Sequence, residues 1–414
     1  MVKSWLSTAS AKELLSDAGW VLILRLVRQV LAILVVAILV RLVTKDDFGR
    51  YQLVVTLVGM FAVTCPPGIQ RAIIQSVARG HLGTFREGTG LGFRFSFIGA
   101  ALMLAVAGWF FSIGDMPQAL ALAAGALFFP ATQGLNQWQS LQIGRKQFRE
   151  NSLRVSVGVI AAAICTVAAP LAGFTEPYML VIAAYVALAL QNIIQQRIAL
   201  SSVPKDAQVE EGSIAYAMQT SVWDVFNTIA NHVDRLMVFL ISPAALAAYA
   251  VADRIPEVLK VNLQQAMSVL VPRFAERKQY TRSLDRKLTL LALAAIVAIL
   301  FLAFAILPFV FTLLYGEEYA SSLIICQLVL VSMACGAPAI TKNAFINARL
   351  DKKGQRNVMA VSAVIRIASS IGLVLWLGIL GAAISTILYR LSTTFLVEWH
   401  LRRHYLEPKE PKLG

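Results

Sequence analysis

Two arginine side chains lie inside the first long apolar stretch of the sequence. Residues 19–43 are enough to cross a bilayer as a helix, yet Arg25 and Arg28 fall within them and Arg41 lies near their far end. An arginine near the bilayer centre costs about 2.5 to 3.5 kcal/mol, so these guanidinium groups should face protein or a water-filled cavity. Because Arg25 and Arg28 are three residues apart, they share one helical face. The pattern predicts a cationic chamber inside a membrane protein.

Two later apolar segments carry polar residues at helical spacing. In residues 212–241, a stripe with steps of three and four residues comprises Asp224, Asn227, Asn231 and Asp234 or Arg235. In residues 244–272, a second stripe, with Arg254 beside it, comprises Asp253, Glu257, Lys260 and Gln264. Both stripes should face an internal cleft or each other. For Arg235 and Arg254, a structural salt bridge is as good an interpretation as a ligand contact.

The chemistry that these side chains favour is the recognition of a large anion. Guanidinium groups pair geometrically with phosphate or carboxylate, and several of them facing one cavity favour a dianionic or larger head group. Amides and an aromatic ring suit sugar hydroxyls and ring faces, and candidates are Asn136, Gln137, Trp138 and Asn192. Interhelical hydrogen bonding is the more ordinary role for each of these residues taken singly.

The composition places these residues in a polytopic membrane protein. The chain has 414 residues, of which 58% are hydrophobic and only 14% charged, with a mean hydropathy of +0.68. Soluble domains average about one quarter charged residues and lack repeated apolar runs of about twenty. The first apolar run is too long for a signal peptide, so we expect a retained helix. Basic cytoplasmic loops explain the net charge of +14, so no nucleic-acid partner is expected.

The apolar runs predict an all-α protein with twelve transmembrane helices. Their expected ranges are 19–43, 48–78, 88–112, 117–143, 151–172, 177–200, 212–241, 244–272, 288–315, 319–347, 357–377 and 379–402. With a cytoplasmic N-terminus, most of the 37 basic residues fall in inner loops, whereas the outer loops contain only Lys45 and Arg50. Both termini are therefore predicted to be cytoplasmic.

The twelve helices divide into two similar halves at the polar connection 201–212. We expect an N-terminal six-helix lobe at residues 1–205 and a C-terminal one at 206–414. The segments 44–51 (TKDDFGRY) and 242–249 (SPAALAAY) each place a hydroxyl residue and a tyrosine at the two ends of an eight-residue match. Since six is even, both lobes have the same orientation, and a substrate site is expected between them. This arrangement is typical of a rocking transporter.

Three segments resemble a known family of membrane proteins. Residues 41–79 are similar to the start of lipid-linked oligosaccharide flippases of the O-antigen (Wzx-type) polysaccharide export family, in the MATE-like superfamily. The matching positions are Arg41, Leu42, Asp47, Phe48, Gly49, Tyr51, Gly68 and Arg71. Residues 249–272, with Arg254 and Pro272, resemble the family's eighth helix, and 380–386 (LGAAIST) resemble the start of its twelfth. Pro66 and Pro67 depart from the commoner pattern and leave the bend of helix two open.

The resemblance implies a flippase in the bacterial inner membrane that acts in O-antigen and lipopolysaccharide biosynthesis. It would move a polyprenyl-pyrophosphate-linked oligosaccharide from the cytoplasmic to the outer leaflet, without enzymatic activity or a cofactor. From the polar residues inside the spans we predict pyrophosphate contacts by Arg25, Arg28, Arg235, Arg254 and Arg366, and sugar contacts by Asn136, Gln137, Trp138, Asn192, Asn227 and Asn231. Candidates for coupling to H⁺ or Na⁺ are Asp224, Asp234, Asp253 and Glu257. Expected partners are membrane lipids and polysaccharide polymerase or assembly proteins.

Two other functions compete with this interpretation. A multidrug cation exporter on the same fold should carry acidic residues in its first-half cavity, whereas the first helix here is basic. An integral-membrane glycan polymerase or transferase should have a large outer loop with catalytic residues, whereas the predicted outer loops are only a few residues long. No GxxxxGK[ST] phosphate loop occurs in the sequence, so direct use of ATP is not expected.

Overall fold

The computed structural model describes residues 8–268, 274, 280–348 and 352–405, which are helical almost throughout. The helices of the first part of the chain are α1 (Thr8–Leu42), α2 (Lys45–Phe61), α3 (Pro67–Ala78), α4 (Gly83–Ser112), α5 (Met116–Phe129), α6 (Trp138–Gly144), α7 (Phe148–Leu171) and α8 (Pro177–Ser201). The later helices are α9 (Ser213–Ile241), α10 (Pro243–Ser268), α11 (Arg282–Phe301), α12 (Leu307–Tyr315), α13 (Ser322–Ala348), α14 (Lys352–Leu377) and α15 (Ile379–His404). The predicted all-α fold class is confirmed.

Eight helical segments of the described residues are long and apolar enough to cross a membrane. They are Gly19–Leu42 of α1, then α4, α7 and α8, Arg282–Tyr315 of α11 and α12, Ser322–Ile346 of α13, Arg356–Leu377 of α14, and α15. The number rises to nine if the bent pair of α2 and α3 forms one span. The protein is therefore an integral membrane protein, and the count of twelve spans stays a prediction.

The second predicted helix is bent where two prolines follow each other. Lys45–Thr64 and Pro67–Ala78 meet at 57°. Neither Pro66 nor Pro67 has a backbone N–H, so neither can continue the helical ladder, and Pro67 occupies a first-turn position of α3, where a proline is tolerated. The bend left open by the sequence is thus a sharp break.

The chain divides into two compact units, Met1–Val225 and Phe226–Gly414, with the boundary inside α9. In the first unit, α4 and α8 pack on α5, and α1 and α8 pack on α7. In the second unit, α13 packs on α10, α11 and α15, and α14 packs on α15. The predicted lobe boundary between residues 205 and 206 stays a prediction.

Gly68 allows the first turns of α9 to lie close to α3 within the first unit. A Cβ at Gly68 would lie 2.1 Å from the carbonyl oxygen of Ala217, so no larger residue fits there without a shift. The Gly68 N–H donates to Ser221 Oγ at 2.9 Å, and Arg71 Nη2 lies 2.7 Å from Asp224 Oδ2. These contacts fix Asp224 to a partner in its own unit.

A buried lysine joins three helices of the second unit. Lys342 of α13 has a side chain only 4% exposed, and its Nζ lies 2.7 Å from Asp285 Oδ1 of α11 and 2.6 Å from Glu398 Oε2 of α15. Tyr280 donates to Asp285 at 2.7 Å, and Arg402 lies 2.7 Å from Glu398. Two cations thus balance two carboxylates, as expected of an ion cluster that stabilises structure.

We predict that Lys342→Met destabilises the protein, because it leaves two partly buried carboxylates without their shared ammonium group. The free energy of unfolding should fall by about 3 kcal/mol, measured by denaturant titration in detergent micelles. Arg402→Met is the control, because that side chain is 63% exposed and should contribute less than about 1 kcal/mol. Equal unfolding midpoints for Lys342→Met and the wild type would contradict this role.

Candidate functional site

A polar cavity of about 190 Å³ lies in the second unit and is lined by α9, α10, α13, α14 and α15. The residues that carry ionisable charges around it are Asp234, Arg235, Asp253, Glu257, Lys260, Arg366 and Arg390. The C-terminal part of the α9 stripe, from Asn231 onward, therefore lies against the same cavity as most of the α10 stripe. Asp224, Asn227 and Gln264 of the predicted stripes do not line it.

Helical spacing and a short turn bring these two stripes together. On α9, Asn231, Asp234 and Arg235 are separated by three and four residues, so they share one face. Ser242 lies between the helices, and its Oγ accepts the Ala245 N–H at 3.0 Å as an N-cap of α10. Because the connection is this short, α10 returns beside α9.

Arg235 is held by carboxylates of α10. Its Nη2 lies 2.6 Å from Asp253 Oδ2 and 3.4 Å from Glu257 Oε2. Glu257 is also 3.6 Å from Nη1 of Arg254, whose side chain is 35% exposed. Arg235 and Arg254 therefore have the structural salt bridges that the sequence left open as one interpretation.

Arg366 of α14 forms the most buried ion pair of the cavity. Its Nη2 lies 2.9 Å from Asp234 Oδ2, and the two side chains are 9% and 3% exposed. Tyr249 OH donates to the same carboxylate oxygen at 2.9 Å, and the ring of Tyr389 lies 4.7 Å from the guanidinium carbon of Arg366. Asp234 Oδ1 and Arg366 Nε are buried and have no hydrogen-bond partner among the described residues. The pair is thus firmly placed yet has unused polar atoms.

The charges around the cavity are not balanced. Its described lining contains four cationic side chains against three carboxylates, besides the imidazole of His232. Neither Lys260 nor Arg390 forms an ion pair with any carboxylate that the structure describes, although the Arg390 guanidinium lies 5.3 Å from the ring of Tyr389. The cavity therefore keeps two cations available for an anionic ligand.

Arg25 and Arg28 lie in the first unit, on the side of α1 that packs against α7. Arg28 Nη1 donates to the carbonyl oxygen of Ser152 and to Ser156 Oγ, both at 3.1 Å. Arg25 lies one turn earlier and is partly exposed. The structure thus gives Arg28 a helix-packing contact, and the role of both arginines toward a substrate stays a prediction.

The amide candidates of the first unit are engaged in helix packing. The Trp138 indole N–H donates to Asn192 Oδ1 at 3.1 Å, and its backbone N–H donates to Gln196 Oε1 at 2.9 Å. Asn192 Nδ2 donates in turn to two backbone carbonyls of the π-helical segment before α6. Asn136 lies 3.5 Å from Gln70, and Gln137 is buried. Of the remaining candidates, Asn231 lines the cavity of the second unit, and Asn227 is half-buried on α9.

Most of the chain matches a known family. Residues 38–324 match the family model described as "Polysaccharide biosynthesis protein". The chain belongs to this polysaccharide biosynthesis family. The resemblance seen in the sequence is thereby confirmed. A search of curated proteins gave no match.

Solved structures show that this family member has the fold of membrane transporters. The lipid II flippase MurJ, in an inward closed conformation, aligns with a TM-score of 0.66 and 12% identity over 94% of this chain and 88% of that one. An inward-facing multidrug resistance MATE family transporter of the MOP superfamily aligns with a TM-score of 0.61 and 14% identity over 91% of this chain and 94% of that one. A MOP superfamily transporter from Pyrococcus furiosus aligns with a TM-score of 0.57 and 12% identity over 94% of each chain. Its binding pocket has a reverse polarity that suggests a different function.

Some residues of the cavity in this polysaccharide biosynthesis protein had only weak signals in the sequence. Lys260 belonged to the α10 stripe and Arg390 lies in the predicted helix 379–402, but the sequence assigned neither to a site. Tyr249 was noted only as the end of the match 242–249, and Tyr389 had no signal, because an aromatic residue in an apolar helix is usually a packing residue. The Arg390 side chain packs against Gly336, which leaves room for it: a Cβ at position 336 would lie only 2.8 Å from Arg390 Cδ.

We predict that Trp138→Phe destabilises the first unit, because Asn192 Oδ1 loses its indole donor in a buried setting. The expected loss is about 1–3 kcal/mol in the free energy of unfolding, measured by denaturant titration. Trp376→Phe, at a position 79% exposed, is the control and should change stability little. If both variants unfold alike, the Trp138 network does not have this structural role.

Proposed function

We propose that this protein is a flippase that moves a polyprenyl-pyrophosphate-linked oligosaccharide from the cytoplasmic to the outer leaflet of a bacterial inner membrane by alternating access. The observation that carries the proposal is the cationic excess of the second-unit cavity in an integral membrane protein of a polysaccharide biosynthesis family. A pyrophosphate is an anion that such a cavity would attract. The oligosaccharide would belong to a surface glycan such as O-antigen.

The size of the cavity limits what part of this substrate it would hold. Sites for drug-sized ligands have volumes of about 300–1,000 Å³. The cavity has only about 190 Å³, so it suits a head group rather than an oligosaccharide. Arg366, Arg390 and Lys260 are the cations that we assign to the pyrophosphate there.

The remaining predicted residues keep secondary roles in this proposal. Arg235 and Arg254 position the carboxylates of α10, while Arg25 and Arg28 are proposed as further contacts along the substrate's route. Asn227 and Asn231 are proposed sugar contacts, and membrane lipids and a polysaccharide polymerase or assembly protein are the proposed partners. No bond of the substrate changes during such transport, so the protein needs no catalytic residue.

The helix lengths support the proposed count of twelve spans. About 20 helical residues are needed to cross the hydrocarbon core. Helices α9 and α10 have 29 and 26 residues but are not among the eight apolar spans, and α5 continues through a π-helical segment toward α6. These three segments, the bent α2–α3 pair and the eight apolar spans add up to twelve. We propose that they form two lobes of six helices with cytoplasmic termini.

A multidrug cation exporter is the second candidate, because a MATE transporter shares the fold. In the Pyrococcus furiosus transporter of the same superfamily, a binding pocket of reverse polarity suggests a different function. We therefore treat the sign of the cavity charge as the discriminating feature. The excess of cations disfavours a cationic substrate.

The test is transport of a lipid-linked oligosaccharide by the full chain in reconstituted vesicles. We predict that Arg390→Met and Lys260→Met each lower the rate at least tenfold, because a charge-assisted hydrogen bond to the pyrophosphate contributes about 1.5–3 kcal/mol. Neither substitution leaves an ion-paired carboxylate without its partner in the described structure. Arg390→Lys, which keeps the charge, should retain part of the activity.

Arg402→Met serves as the control for loss of a basic side chain away from the cavity and should transport at the wild-type rate. Wild-type transport by the Arg390→Met, Lys260→Met double variant would contradict the proposed site. Vesicles that move a lipophilic cation but not the lipid-linked oligosaccharide would favour the exporter.

A further inference from the structure

Asp234 is the most buried carboxylate of the cavity, and only one of its oxygens is used. Its side chain is 3% exposed, and Oδ2 receives hydrogen bonds from both Tyr249 OH and Arg366 Nη2 at 2.9 Å. Oδ1 has no hydrogen-bond partner among the described residues. The Asp234 carboxylate therefore pairs with the Arg366 guanidinium, to which a phosphate ligand would bind, while its second oxygen is free to accept a proton.

Charged and titratable groups around Asp234 come from four of the helices that line the cavity. Its own helix α9 contributes His232 and Arg235 to the cavity, α14 contributes Arg366, and α15 contributes Arg390 beside Tyr389. Helix α13 lines the cavity with Val329, Ser332 and Met333, which do not ionise. The side chains contributed by α10 are Tyr249, Asp253, Glu257 and Lys260.

The net charge of the cavity lining determines whether a proton is taken up when an anionic ligand binds. With four cations, three carboxylates and His232 counted as neutral, the described lining has a net charge of +1. A bound dianion would change this to −1, which is unfavourable in a cavity with a low effective dielectric constant. Uptake of one proton by a carboxylate restores neutrality.

We infer that the phosphate of the ligand replaces Asp234 on Arg366 and that Asp234 takes up one proton on Oδ1 in the same step. The proton comes from the aqueous phase and returns to it when the ligand leaves and the ion pair reforms. Asp234 thus acts as a displaceable counter-ion. This inference rests on the proposed function, since it needs an anionic head group in the cavity, and it narrows four candidate coupling carboxylates to one.

Coupled binding has a measurable consequence. If one proton enters with each ligand, the affinity falls about tenfold for each unit of rising pH, after correction for the ligand's own protonation. His232, whose Nδ1 is also buried without a described partner, is the competing proton acceptor. Substituting Asp234 and His232 separately shows which of the two takes up the proton.

The experiment measures proton uptake during the binding of geranyl pyrophosphate to the full chain in nanodiscs, by calorimetry in buffers of different ionisation enthalpy. We expect the wild type to take up about one proton more per bound ligand than Asp234→Asn, which should bind at least as tightly because Arg366 is released. His232→Gln should keep the wild-type proton count. Asp115→Asn is the matched control, because Asp115 is also paired with an arginine, Arg50, but lies in the first unit.

Equal proton counts for Asp234→Asn and the wild type, or loss of uptake in His232→Gln, would overturn the inference. If the number of protons taken up by the wild type is explained by the ligand's own protonation alone, the inference is overturned as well, even if Asp234→Asn does not fold. In each of these cases the ligand still binds, so the proposed function survives. Absence of geranyl pyrophosphate binding to the wild type at every pH would overturn both.

Discussion

The ion pair between Arg366 and Asp234 is the interaction on which the second-unit cavity depends. A guanidinium group that is 9% exposed in a membrane protein is stable only with a counter-ion, and removing one partner of such a pair typically costs about 3–5 kcal/mol. Tyr249 and Tyr389 complete the setting by donating to the carboxylate and covering the cation. Four helices thus converge on one pair of charges.

A comparison of the two ion clusters in the second unit separates a structural role from a binding role. The cluster around Lys342 contains two cations and two carboxylates, and each lies within an ion-pair distance of an opposite charge. The cavity instead contains four cations and three carboxylates in its described lining. Burying unpaired charge is unfavourable, so we propose that an anionic ligand offsets the imbalance.

Much of this arrangement could be predicted from the residues. The steps of three and four between Asn231, Asp234 and Arg235 predicted one polar face, which was expected to face an internal cleft or the stripe of residues 244–272. An arginine inside an apolar run, as at position 366, is conspicuous because lipid is a poor environment for a charge. Helix type and the membrane location follow from hydrophobicity alone.

Other features depend on tertiary packing, which periodicity does not encode. Lys342 lies in the predicted helix 319–347 with no sequence signal for a partner, yet it is buried between carboxylates that lie more than fifty residues away on either side. Trp138 and Asn192 suited a sugar in the sequence, yet they bind each other across α6 and α8. Pro66 and Pro67 marked a disturbance in helix two without giving its angle of 57°.

The most direct test of the cationic cavity is a cryo-electron microscopy structure of the full chain in nanodiscs with a bound polyprenyl pyrophosphate. We expect phosphate density within hydrogen-bonding distance of the Arg366 and Arg390 guanidinium groups, with Asp234 displaced from Arg366. Phosphate density elsewhere in the protein, with the Arg366–Asp234 contact unchanged at 2.9 Å, would contradict the cationic cavity as the binding site.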